Sequence, residues 1–155
     1  MSGSSIRSLF LSLCALLALR AEVHAQQPHR PIIELRIART AATPGYAARP
    51  LADSTFYVSD SILVSDSVIE HAETSWWQGH LIVPIRLAPQ TALRVAAATK
   101  SHVRDRMAVF LDGEFTAAVI IVDPIQGPGL QLELGPPARV DRIAAEISAR
   151  WPADH

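Results

Sequence analysis

Between Arg106 and Pro124 two apolar segments, Met107-Ala-Val-Phe-Leu111 and Phe115 to Val122, are separated by Asp112-Gly113. No other feature restricts the fold as strongly. A two-residue turn whose twist matches that of its strands needs positive φ at both central positions, which Asp tolerates and Gly adopts freely. A tight antiparallel hairpin is therefore predicted, with Asp112 and Gly113 at its tip. Upstream, Pro89 to Val103 has helical spacing; downstream, Gly127-Pro128-Gly129 marks a turn before another strand.

The N-terminus reads as an address. Arg7 precedes an apolar stretch, Ser8 to Leu19, that is too short to span a bilayer comfortably, and Val23-His24-Ala25 suits a signal peptidase. Cleavage is predicted between Ala25 and Gln26, so residues 1–25 form a signal peptide and 26–31 a disordered leader. The domain itself is expected over 32–152. Cleavage removes Cys14, the one cysteine in the chain, so an oxidising compartment imposes no disulfide. No later apolar run reaches membrane-span length. The net charge of −1 and the scattered arginines exclude a nucleic-acid footprint. Together these features predict an exported protein, periplasmic or extracellular, with no stable membrane span after cleavage.

Along the domain, Ile33, Leu35 and Ile37 alternate with Glu34 and Arg36, the pattern of a half-buried strand over Ile32–Arg39. Thr40 to Asp53 reads as a loop and Thr55–Val58 as a short strand. Val58-Ser-Asp-Ser61 is echoed at Val64-Ser-Asp-Ser67, where Ser65-Asp66-Ser67 is expected to turn into Val68–Glu73. Trp76-Trp77-Gln78-Gly79 forms a second turn before a strand over His80–Leu87. Pro84 within that strand places it at an edge or a bulge, because proline lacks the ladder donor. Pro89 suits the first helical turn, and Leu93, Ala96, Ala97, Lys100 and Val103 mark the face expected to pack on a sheet. Leu130, Leu132 and Leu134 alternate in a last strand, which Pro136-Pro137 ends. Val140, Ile143, Ala144, Ile147 and Trp151 then mark a closing amphipathic helix. The predicted fold class is α+β, a mostly antiparallel sheet with two helices packed on one face.

Catalytic patterns are missing. Asp60, Asp66, Glu70 and His71 crowd one stretch, and a metal-dependent hydrolase built on them is one alternative. Calcium loops, however, need a glycine and denser oxygen spacing, and His71, His80 and His102 lack paired zinc spacing. Ser59, Ser61, Ser65 and Ser67 sit in no nucleophile motif, and Gly127-Pro128-Gly129 lacks the helix of a phosphate loop. No catalytic residue, cofactor or metal is therefore expected. Trp76, Trp77, Phe110 and Phe115 are the candidate partner contacts, since large aromatics dominate protein–protein hot spots.

From Ile33 to Arg150 the chain also resembles the head subdomain of the first large periplasmic domain of SecD, an accessory subunit of the bacterial protein-export translocase. The residues that carry the likeness are Ile33-Glu-Leu-Arg-Ile37, Leu63-Val-Ser-Asp-Ser-Val-Ile69 and Leu87-Ala-Pro-Gln-Thr-Ala-Leu-Arg-Val-Ala-Ala-Ala-Thr99. To these are added Met107-Ala-Val-Phe-Leu-Asp-Gly113 and Ala117 to Ile125. The resemblance implies a head-like module that touches emerging, unfolded polypeptide, without the proton-driven membrane motor. It transfers no contact residue. The expected function is a non-enzymatic exported binding module that holds an extended polypeptide, or an envelope protein partner, at a sheet edge or apolar groove near the hairpin. A self-associating structural envelope protein is the other alternative.

Overall fold

The computed structural model describes residues 30–134 and 140–152. The predicted signal peptide, most of the leader and the Pro136-Pro137 break lie outside the described residues.

Two antiparallel sheets replace the single sheet expected. The first contains β1 (Ile33–Arg39), β2 (Tyr46–Leu51), β3 (Ser54–Ser65), β7 (Arg106–Leu111) and β8 (Glu114–Ile120), in the order β2-β3-β1-β7-β8. The second is built around β6 (His80–Leu87). On one side β6 pairs with β4 (Ile69–Ala72) and then β5 (Ser75–Trp77), and on the other with β9 (Gly129–Leu134). Helix α1 (Pro89–Ser101) begins at the predicted proline, and α2 (Val140–Arg150) closes the described chain.

Both sheets and both helices share one core. Ile33, Leu35 and Ile37 of β1 meet Leu81, Val83, Ile85 and Leu87 of β6 there, together with Val95 of α1 and Ile143 and Ile147 of α2. The period-two patterns of β1, β6 and β9 all point into this cluster. A second, smaller cluster lies on the opposite face of the first sheet, where Ala38, Val58, Ala108 and Phe110 are covered by Phe56 and Phe115.

Four local expectations are corrected. Thr40–Asp53 is not all loop: β2 forms within it because a turn at Ala52, with φ of 49°, folds it back onto β3. β3 is 12 residues long and runs through Ser59-Asp60-Ser61, where the ladder with β1 is irregular. In that stretch the Arg36 guanidinium donates to the carbonyls of Ser59 and Asp60. α1 buries Thr91, Ala92, Val95 and Thr99 rather than the predicted stripe, and Leu93 faces solvent. Thr99 belongs inside because its hydroxyl is satisfied: it donates to the Val95 carbonyl at 2.7 Å and accepts the Ile125 N–H at 2.9 Å.

Pro84 is the fourth correction. β6 is paired on both sides, so Pro84 is not on an edge strand. The Glu73 N–H donates to the Pro84 carbonyl, so the missing Pro84 donor faces the gap between β4 and β5. The interrupted ladder, rather than an open edge, accommodates the proline.

Candidate binding groove

The Asp112-Gly113 turn sets the register of the β7–β8 hairpin. Asp112 has φ of 49° and Gly113 of 70°, both in the left-handed region that this turn demands. A Cβ on residue 113 would also run into the Arg30 side chain. Asp112 is tied to α2 through Arg142 Nη2, 2.5 Å from its Oδ2.

One bulge then decides which side chains of β8 face which way. Val109 pairs with Ala117 but Phe110 pairs with Phe115, so Thr116 is the extra residue, and its hydroxyl donates to the Val109 carbonyl at 3.0 Å. The slip sends Ala117 and Val119 to the core side with Met107 and Val109. It sends Phe115 to the other face, where it stacks on Phe110 at 5.2 Å and meets Phe56 edge-on at 5.9 Å.

Beyond the bulge the two sheets part. An apolar groove of about 660 Å³ opens between β8 and β9. Its floor is the core itself, through Met107, Val109, Leu132 and Leu134; its walls are Val119, Ile120, Val122, Ile125 and Leu130. Val119, Ile120 and Val122 remain 54, 49 and 72% exposed. His80, Asp123 and Glu133 stand among the lining residues, with His80 Nδ1 3.3 Å from Glu133 Oε1. The connection that closes the groove is anchored at both ends. Ile121 donates to the Asp105 carbonyl and accepts from the Arg104 N–H, while Thr99 holds Ile125.

Among the described residues, no strand pairs with the outer edge of β8 or of β9. Ile121 bonds towards β7, so alternation turns the N–H and C=O groups of Ala118 and Ile120 outwards. The Leu87 N–H donates to the Pro128 carbonyl, which by the same alternation turns those of Gln131 and Glu133 outwards from β9. Along β8 the usual protection of such an edge is confined to its start, where Glu114 is charged and Thr116 bulges. From Phe115 to Val122 there is no charge, proline or glycine, whereas the opposite edge strand, β2, contains Arg49-Pro50.

The structure places the predicted contact residues in two different regions. Trp76 and Trp77 lie on β5, 54 and 58% exposed, before a turn in which Gln78 and Gly79 both have positive φ. Trp77 pairs with His80, a residue of the groove. Phe110 is buried and Phe115 half-buried, on the face of the first sheet away from the groove, with the Arg36 guanidinium 5.6 Å over the Phe110 ring. The groove residues on β8 and β9 escaped the sequence reading. Their one legible signal is the unbroken, unprotected run Phe115–Val122.

Asp60, Asp66, Glu70 and His71 do not form a group that could hold a metal ion among the described residues. Asp66 turns inwards in a 3-10 turn, where its carboxylate accepts the N–H groups of Ile32 and Ile33 at 2.9 Å each. His71 Nε2 lies 2.8 Å from Glu73 Oε1, and Glu70 is exposed. Among the described residues, no three His, Cys, Asp or Glu side chains gather as a metal site would require. One carboxyl is visibly perturbed. Burial pushes Asp105 up, but hydrogen bonds from His102 and Arg39 outweigh it and hold the group below its ordinary value.

No curated protein matches the chain. Solved structures share its fold, two of them as follows. One, reported as a membrane component SecDF that enhances protein export, is 20% identical with a TM-score of 0.53, over 74% of this chain and 60% of that one. The other, SecDF in a super-membrane-facing form, is 18% identical with a TM-score of 0.56, over 78% of this chain and 18% of that one. The chain therefore spans 60% or less of the solved proteins it matches. Among the described residues, no helix is long and apolar enough to cross a membrane. The family model described as SecDF, P1 head subdomain, matches residues 43–135, which run from just before β2 through β9 and contain every residue lining the groove. The chain belongs to the SecDF P1 head subdomain family.

Proposed function

We propose that this protein is an exported, non-enzymatic module that holds extended polypeptide in the groove between β8 and β9. One observation carries the reading: an apolar groove bordered by two strand edges that no described strand pairs with, one of them without charge, proline or glycine from Phe115 to Val122. An extended segment laid there would pair with outward backbone groups and place alternate side chains over the apolar floor. Covering Val119, Ile120 and Val122 would stabilise the complex by on the order of 1 kcal/mol per residue. Trp76 and Trp77 flank the His80 end and serve as a secondary contact. Membership of the SecDF head family supports a polypeptide of the export route as the ligand, and the predicted leader supports a site of action outside the cytoplasm.

A photocrosslinking residue at Val119, compared with one at Leu93, which is no less exposed, tests the reading in cells. Exported polypeptides captured from position 119 and not from 93, with yields reduced by Trp76→Ala/Trp77→Ala, are expected. Capture only of a second copy of the chain from position 119 would instead establish the edge as a self-association surface.

A further inference from the structure

The groove is apolar inside and acidic at its rim. Its lining contains two carboxylates, Asp123 and Glu133, both exposed, and neither a lysine nor an arginine. The two lie differently with respect to an incoming strand. On β9, Leu130, Leu132 and Leu134 point to the core, so Gln131 and Glu133 project from the solvent face of the same edge. A strand added beside β9 would direct every second side chain over the apolar floor. The intervening side chains would emerge beside Glu133 and, at the Ile121–Ile125 connection, near Asp123. Cross-strand neighbours of opposite charge attract, and like charges directly opposite repel.

Resting on the strand-addition reading above, we propose that the groove selects extended segments in which apolar residues alternate with lysine or arginine. Acidic segments of equal hydrophobicity are disfavoured by the same two carboxylates. His80 is the remaining titratable side chain in the lining; at 3.3 Å from Glu133 it shares that carboxylate with the incoming cation rather than replacing it. Because both carboxylates are exposed, the preference is modest and falls with salt.

The test uses the full chain and three dye-labelled peptides of one length, in which valine alternates with lysine, threonine or glutamate, with binding read by fluorescence anisotropy. Lysine peptides are expected to bind about fivefold more tightly than threonine ones, and glutamate peptides most weakly. Glu133→Gln with Asp123→Asn should bring the three affinities together, removing the lysine-over-glutamate order. Equal binding of all three to the native protein would overturn the charge preference and leave the groove reading standing. No binding of any peptide would overturn both.

Discussion

At the scale of single residues, the side chain with the largest structural task is Asp66. Its carboxylate closes two buried backbone N–H groups at the start of β1, 33 and 34 residues away in sequence, and so fixes where the first sheet begins. Asp66→Ala would strand both donors, and a loss of roughly 3 kcal/mol is expected, seen as a lower urea midpoint with an unchanged slope. Asp105 makes a different prediction. Its folded-state value lies below the ordinary 3.8, so the native state binds fewer protons than the unfolded one as the pH falls through that region. The stability contributed by the contacts with Arg39 and His102 is therefore present above the ordinary value and lost as the pH drops through the depressed one. Thermal melts of Asp105→Asn should be less stable at neutral pH and flatter in acid than those of the native protein.

At the scale of elements, the groove depends on β8 being an edge strand whose outward donors are free. Ile120→Pro removes one of them while leaving the bonds to β7 in place, because the Ile120 N–H faces away from that strand. The variant is expected to keep its circular dichroism spectrum and lose at least about tenfold in peptide affinity, one outward backbone bond and its register being lost. The elements that were legible beforehand are those written in local chemistry. The Asp112-Gly113 turn, the alternation of β1 and β9, Pro89 at the start of α1 and the Ile143–Ile147 face of α2 each follow from a few neighbouring residues. The rest needed long-range partners. β2 has no hydrophobic period and exists because β3 pairs with it. Pro84 in a central strand is tolerated only because β4 and β5 leave a gap opposite it. Phe115 changes face through a one-residue slip at Thr116 that no periodicity predicts. The sequence suggests a sheet edge or apolar groove near the hairpin, with the Pro84 strand as one such edge, but that strand is paired on both sides; whether β8 is an edge is a property of the sheet order, not of its own sequence.

At the scale of the whole molecule, two sheets share one core along most of their length and separate at β8 and β9, where that core reaches solvent. Among the described residues, the same parting that exposes apolar surface leaves two backbone edges unpaired beside it, and the proposed extended polypeptide would satisfy both deficits at once. Amide chemical-shift mapping on addition of an unfolded polypeptide tests this most directly. The account predicts that the largest changes, with new protection from exchange, fall at Ala118, Ile120, Gln131 and Glu133. Changes confined to the β2 edge or to Trp76 and Trp77, with those four amides unmoved, would contradict it.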